Sequence, residues 1–347
     1  MLNALDAQAR GAKIVTRTRC ERARRGKRMW TAQLSGGSAR QRTVTARALV
    51  NATGPWAASF LDTVAQVPHS HTLRLVKGSH IVVPKLYDHH YAYTFQQADR
   101  RIVFAIPFER DYTLIGTTDV EFGDVPGTVR IDADEVAYLC TAANRYFTRP
   151  IAPADVVWSY SGVRPLLEEE GVAASEVTRD YLLDFDAEGG APLLNVFGGK
   201  ITTHRRLAED ALARLAPALG NDRPAWTADE HVHLPGGEFA DADDSSEASF
   251  DKFRLATARR YPWLPEELAL RLARAYGTRV ERVVGKAQAV EDLGENFGAD
   301  LYAAEVEYLV REEWARDSND ILWRRSKLGL RLDADQKQRL EDRKSVV

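Results

Sequence analysis

Several things are scarce in this sequence, and each scarcity excludes something. Across 347 residues there are two cysteines, Cys20 and Cys140, far apart and in no metal-ligand spacing. A disulfide framework and a zinc site are thereby excluded, and a reducing compartment fits. No apolar run approaches the roughly 20 residues that a membrane-spanning helix needs. Nothing at the start reads as a signal peptide, so a cytoplasmic chain is expected. Charge of one sign is also lacking: 47 Lys and Arg stand against 50 Asp and Glu, a formal net charge of −3. A general nucleic-acid binder would carry a basic excess, so no nucleic-acid partner is expected. The chain contains no G-x-G, the turn that cradles a dinucleotide pyrophosphate. It shows no internal repeat and no low-complexity tract. What is present is globular composition, 44% hydrophobic and 28% charged, long enough for about two domains.

The pattern along the chain is α/β and then helical. Residues 2–9 form an apparent helix that opens without a cap, which reads as an element cut from something larger. A strand is expected over 12–19, and a hairpin from strands 30–34 and 43–50 around a turn at 35–38. The apolar run 48–52 stops at Thr53-Gly54-Pro55 and leads to a helix over 56–64. Strands at 72–76, 79–83, 91–95, 101–107 and 113–116 suggest a mixed or antiparallel meander. A helix over 132–146 is expected, with Asp132 as its cap. Strand 155–165, strands 179–186 and 193–197, and a helix after Lys200 ended by Pro217 and Gly220 complete this part. Residues 223–246 read as a linker, and 247–347 as a helical domain.

Several stretches could carry chemistry, and each has a plainer alternative. Gly198-Gly199-Lys200 joins a strand to a helix, where backbone amides and a positive helix end suit an anionic or electron-rich ligand; a tight turn with an exposed lysine explains it equally. Ala52-Thr53-Gly54 places small residues at the carboxyl end of a strand, where nucleotides bind in doubly wound folds, or forms a simple turn. His80, in Lys77-Gly78-Ser79-His80, is a candidate general base, although a lone histidine is more often structural. Arg164 and Arg179 suit capture of carboxylate or phosphate, or surface ion pairs. Thr118 and Asp119, after strand 113–116, either line a substrate site or close a hydrogen-bonded turn. The pairs His69/His71 and His231/His233 read as solvated surface, and no metal site is expected. Arg324, Arg325 and Lys327 form a short basic cluster whose default is a solvated helix face.

Taken in order, VNATGPW (50–56), LVKGSHIVVP (75–84), IGTTDV (115–120), VWSYSGVRPL (157–166), TRDYL (178–182) and VFGGKITT (196–203) resemble the aerobic FAD-dependent glycerol-3-phosphate dehydrogenase family. LPGG (234–237), DLGENF (292–297) and LWRRSKLGL (322–330) resemble its C-terminal helical domain. The resemblance implies that 1–222 is the remainder of a Rossmann-like FAD domain with an inserted mixed- or antiparallel-sheet substrate domain over about 57–165, followed by the helical domain. It implies oxidation of sn-glycerol 3-phosphate to dihydroxyacetone phosphate, with FAD as cofactor and a membrane quinone as electron acceptor. His80 would take the C2 hydroxyl proton. Arg164, Arg179 and Lys200 would hold the phosphate, with Thr118 and Asp119 at the substrate. Ala52, Thr53, Gly54, Gly198, Gly199, Thr202 and Thr203 would line the flavin. Family members open with a G-x-G-x-x-G unit that this sequence lacks. The chain is therefore expected to be a fragment, impaired in FAD binding and activity. A homodimer and peripheral contact with the cytoplasmic face of a membrane are further expectations. The competing readings are an oxygen-using glycerol-3-phosphate oxidase, an amine or amino-acid oxidase of the same architecture, and a non-catalytic interaction module.

Overall fold

The computed structural model describes residues 1–36, 39–123, 127, 129–167, 180–221, 225–227, 232–239 and 245–343. The chain divides into two compact units, Arg17–Thr227 and a second made of Met1–Thr16 with Ala228–Val347.

The first unit is mixed α/β, with three sheets among its described residues. Strands β1 (Thr18–Arg25), β2 (Trp30–Gly36) and β3 (Ala39–Ala46) form an antiparallel meander. The expected hairpin is there, with Trp30 opposite Ala46. It ends sooner than the apolar pattern suggests, because β4 (Leu49–Asn51) leaves it for another sheet. There β4 lies parallel to β12 (Leu193–Gly198), which pairs in turn with β11 (Tyr181–Asp186). The expected strand at 12–19 begins only at Thr18. The helix expected over 56–64 is broken into a 3-10 turn (Gly54–Trp56), one α-turn α2 (Ala57–Phe60) and a π-turn (Leu61–Ala65). Its buried face, Ala57 and Leu61, packs in one cluster with Trp30, Leu193 and Phe197.

The third sheet positions the site. Its path is β10 (Trp158–Leu167), β5 (Leu73–Pro84), β8 (Tyr112–Gly116), β7 (Ile102–Phe108) and β6 (Tyr93–Gln96), with the short β9 (Val120–Glu121) also on β5. Strand β5 is one continuous element; two were expected because Gly78 reads as a break. It survives because Gly78 lies opposite Gly162 in an unbroken ladder with β10. Alternation sorts the side chains into two faces. Ile81, Val83, Val103 and Ile115 are fully buried with Leu139 of α3 (Ala133–Asn144). This helix begins at the expected cap: Asp132 accepts from the Glu135 amide and Glu135 reaches back to the Asp132 amide, a complete capping box. Helix α4 (His204–Leu219) ends at Gly220 in the left-handed conformation, while Pro217 lies inside its last turn.

The second unit is helical, with α1 (Leu2–Ala9), α5 (Ser246–Arg260), α6 (Glu266–Tyr276), α7 (Val280–Val284), α8 (Ala303–Glu313) and α9 (Ala334–Asp342). Leu268, Leu272, Phe297, Val306, Tyr308 and Leu309 form its core. Arg271 is bidentate on buried Glu305, which also accepts from the Tyr276 hydroxyl at 2.6 Å. The basic cluster is not a simple solvated face: Arg325 donates to the Glu313 carbonyl at 2.7 Å and Arg324 to Asp320 at 2.9 Å. Among the described residues, no helix is long and apolar enough to cross a membrane.

Candidate active site

His80 and Arg164 lie on one face of the third sheet, on neighbouring antiparallel strands. The register pairs His80 with Tyr160 and Val76 with Arg164. Strand residues two and four apart share a face, so His80, Gly78, Tyr160, Gly162 and Arg164 face the same way. The imidazole of His80 stacks on Tyr160, ring centroids 4.8 Å apart and 7° from parallel. On its other side is Gly116, the partner of His80 on β8. A Cβ at Gly116 would collide with the imidazole, so glycine is what lets the ring lie across the strand. Gly78 does the same for Arg164: a Cβ there would stand 2.5 Å from the guanidinium. Arg164 uses that space to donate to Thr117 Oγ1 at 2.8 Å and to pair with Asp119.

Burial, and secondly the Arg164 charge, lower the His80 pKa to about 4. The imidazole is therefore neutral near pH 7. Its Nδ1 is buried and, among the described residues, has no hydrogen-bond partner.

The reverse face carries a buried polar network that sequence reasoning missed. Glu135 of α3 is 5% exposed. It accepts from Ser79 Oγ at 2.8 Å, from Thr118 Oγ1 at 2.6 Å and from the Asp132 amide at 3.0 Å, and pairs with Lys77 Nζ at 2.8 Å. Ser79 Oγ also shares a hydrogen bond with Ser161 Oγ at 2.8 Å. The Glu135 hydrogen bond raises the Lys77 pKa despite burial. Thr118 is 1% exposed and accepts from the Ser79 amide at 2.9 Å. Its hydroxyl is thus held between the Ser79 amide and the Glu135 carboxylate, which is the hydrogen-bonded turn of its two readings. Asp119, beside it, stays accessible and paired with Arg164. Lys77 of the KGSH motif was a local signal; nothing local marked Glu135 as its partner.

The segments expected to line a flavin share one sheet edge. Because β4 and β12 run parallel, with Asn51 beside Asn195, the chain leaves both strands on the same side. Asn51 donates to the Asn195 side chain at 3.1 Å and to the Ala57 carbonyl at 2.9 Å, and Thr53 Oγ1 donates to Asn51 Oδ1 at 2.7 Å. These bonds fix the turn Ala52-Thr53-Gly54 at its root. Gly198 and Gly199 both take positive φ, +69° and +90°. Their α-carbons are packed closely: a Cβ on Gly198 would stand 2.8 Å from the Asp180 carbonyl and 3.9 Å from that of Pro165. The Gly-Gly turn therefore abuts the residue after Arg164, and the Gly54–Trp56 turn also packs on β10 and β12. Lys200 and Thr202 are exposed, and Ile201 is 85% exposed. The helix expected near Ile201 starts with a 3-10 turn (Ile201–Thr203) and becomes α-helical at His204. Thr203 Oγ1 donates to the Lys200 carbonyl at 3.0 Å, which ties the turn together and caps no amide.

Arg179 and His231 lie outside the described residues. His69 is not simply solvated: its ring meets Asp62 at 3.1 Å, and the His71 ring packs 5.0 Å from Phe197. Among the described residues no group of three or more His, Cys, Asp or Glu side chains could hold a metal.

A sheet face with an imidazole and a caged arginine thus accompanies a parallel sheet edge that runs through glycines into a helix, the arrangement that the resemblance to flavin oxidoreductases implies. Comparison with known proteins agrees. The family of FAD dependent oxidoreductases matches residues 2–205, and the C-terminal domain of alpha-glycerophosphate oxidase matches residues 228–342. The chain belongs to this FAD-dependent family, and the motif resemblance to its aerobic glycerol-3-phosphate dehydrogenases is borne out. It is 49% identical over 341 residues to a glycerol-3-phosphate dehydrogenase of Pseudomonas aeruginosa, covering 98% of this chain and 65% of that protein. It is 45% identical over 335 residues to a D-erythritol 1-phosphate dehydrogenase of Brucella abortus, covering 95% of this chain and 64% of that one. The fold matches that of a glycerol-3-phosphate dehydrogenase from Bacillus halodurans solved with FAD, with a TM-score of 0.79, 24% identity, and coverage of 98% of this chain and 70% of that one. The chain thus spans about 65% of the length of the curated relatives it matches.

The residues present fit part of FAD. The left-handed Gly54, with nothing within 4 Å of its Cβ position, stands on the same sheet edge as the tight Gly198-Gly199 turn and the start of α4, and the Cβ positions of that turn point at Asp180, Tyr181 and Leu207. The sequence supplies no G-x-G turn for the pyrophosphate.

Proposed function

We propose that this chain forms the substrate-binding and proton-accepting part of an FAD-dependent polyol-phosphate dehydrogenase acting on sn-glycerol 3-phosphate. The observation that carries the reading is the shared face of His80 and Arg164, each given its space by a glycine. A phosphate carrying about −1.5 to −2 charges would bind Arg164, displacing or bridging Asp119, with Lys200 and Arg179 as further cations. Such charge-assisted bidentate contacts fix orientation as well as affinity. With the phosphate held there, the C2 hydroxyl would donate its proton to His80 Nε2. FAD, which the turns Ala52-Thr53-Gly54 and Gly198-Gly199 would hold, would supply the two-electron acceptor for the C2 hydride, so that the carbinol would leave as the ketone of dihydroxyacetone phosphate. The positive start of α4 and the amides after Gly198 would offset the negative charge that the ring acquires.

Passage of the electrons to a membrane quinone, with peripheral contact at the cytoplasmic face and a homodimeric assembly, belongs to the same proposal and rests on the family resemblance. The Brucella relative supports a second reading, a longer alditol phosphate. The same phosphate grip and base serve either substrate, since both present a secondary carbinol near a phosphomonoester.

The test is the absorption spectrum of the purified chain after incubation with excess FAD and gel filtration, followed by anaerobic addition of glycerol 3-phosphate or erythritol phosphate. A retained flavin band bleached by one of them supports the reading and selects the substrate. A retained band that neither bleaches refutes it. If no flavin is retained, calorimetric titration with glycerol 3-phosphate decides: binding lost in Arg164→Ala supports the phosphate role, and no binding refutes it.

A further inference from the structure

We infer that Glu135, a residue remote from both substrate and flavin in this reading, is the positioning residue of the site: one buried carboxylate that sets where His80 and Asp119 stand. The inference deepens the proposed function and rests on it for the roles of those two residues.

The argument is one of connectivity. Glu135 binds Ser79 and Thr118 through their hydroxyls. Ser79 is the chain neighbour of His80, and Thr118 of Asp119. Ser79 in turn meets Ser161 on β10, three residues before Arg164. Alternation along a strand sends neighbouring side chains to opposite faces. Ser79 and Ser161 therefore hold their strands from behind while their neighbours project the other way, and in the loop after β8 Thr118 binds Glu135 while Asp119 pairs with Arg164. The loop 117–119 needs such an anchor. It arches out between β8, whose Gly116 pairs with His80, and β9, whose Val120 pairs with Lys77. Between those ladders the loop is tied to β5 by Thr118, whose amide donates to the Ser79 carbonyl at 3.3 Å and whose hydroxyl accepts from the Ser79 amide at 2.9 Å.

A purely structural role would be filled by any well-packed side chain. Glu135 instead offers two oxygens to four donors from three elements: Lys77 and Ser79 on β5, Thr118 after β8, and its own cap amide at Asp132. A glutamine has one acceptor oxygen and an NH2 group that would face a donor, so it cannot reproduce the set.

The experiment compares Glu135→Gln with Leu139→Ala, a cavity on the same helix outside the network, in the full chain. Thr118→Val serves as a milder variant that removes one arm should Glu135→Gln not fold. The first readout is the His80 imidazole titration by NMR, assigned with His80→Gln, which needs neither flavin nor substrate. The groups facing that ring are Tyr160, Arg164 and, through Arg164, Asp119. The second is the Kd for glycerol 3-phosphate. The inference expects Glu135→Gln or Thr118→Val to move the His80 midpoint by at least half a pH unit and to weaken the Kd about tenfold. Leu139→Ala, at comparable loss of melting temperature, should move neither. A wild-type His80 midpoint in both network variants overturns it. Glycerol 3-phosphate failing to bind wild type, with the His80 midpoint still displaced by the network variants, would instead sink the proposed function and leave Glu135 as the anchor of His80.

Discussion

Acidification should test the His80 environment directly. Burial first, and the Arg164 charge second, take its pKa from the ordinary 6.5 to about 4. In the unfolded chain the ring binds a proton below about 6.5; in the folded chain it does so only near pH 4. Between those values the unfolded state holds more protons, so stability rises with pH and is lost as pH falls through the window. The shift sets a ceiling of about 3 kcal/mol, fully lost only below pH 4, and partial exposure of the ring lowers that figure. Urea unfolding of wild type and His80→Gln at pH 7.5, 6, 5 and 4.5 isolates the effect, because other groups titrate alike in both. Wild type should lose more stability than the variant on acidification, by about 1–2 kcal/mol at pH 5. Catalysis carries the complementary signature. If His80 is the base as proposed, it is already neutral, and the rate of hydride transfer should stay flat from pH 7.5 down to about 5 and fall roughly tenfold per unit below pH 4. A His80 resonance titrating between pH 6 and 7, or parallel losses in wild type and variant, would refute the argument.

Other expectations follow from the same geometry. Gly78→Ala should drive the Arg164 guanidinium off its position, weakening glycerol 3-phosphate binding at least tenfold at a stability cost of about 1–3 kcal/mol, read by calorimetry and melting. Gly116→Ala collides with the His80 ring instead, so the flavin reduction rate should fall while substrate affinity changes little. Asn51→Leu leaves Asn195 Oδ1 without its donor, although the Asn195 amide still donates to Asp184, and frees the Thr53 turn; unfolding should show about 1–3 kcal/mol of destabilisation, with reduced FAD retention on gel filtration. In the helical unit, Arg271→Leu leaves Glu305 buried without its bidentate partner, and denaturation should register about 3–5 kcal/mol lost.

What was legible in the sequence was what is decided locally. Asp132 announced its helix because a cap is a contest between one side chain and the first free amides. The Gly198-Gly199 turn was visible because positive φ demands glycine. Pairing was harder to read. Leu49–Asn51 looks like the end of a hairpin strand, yet its partner is β12, more than 140 residues later, and no local pattern distinguishes the two. Gly78 looked like a strand break because its reason for being small is Arg164, a residue on another strand. Thr118 looked like substrate lining because a polar residue after a strand signals accessibility, until a buried carboxylate on α3 claimed it.

The same logic explains why motif residues here are mixed in kind. In Lys77-Gly78-Ser79-His80 the odd positions turn to α3 and Glu135, and the even positions face Arg164 and the open side. Half the motif builds the platform and half uses it, interleaved by the two-residue period of the strand. A substitution in the Lys77 or Ser79 half should therefore lower stability and geometry together. One at Gly78 or His80 can spare the fold while removing affinity or rate. Lys77→Met separates the cases sharply: it leaves Glu135 without its cation, so about 3–5 kcal/mol should be lost. Phosphate affinity should then fall only as far as Asp119 and Arg164 follow the loosened loop. If Lys77→Met left stability intact and abolished binding, the lysine would belong to the open face, and the division of the motif argued from the register would be wrong.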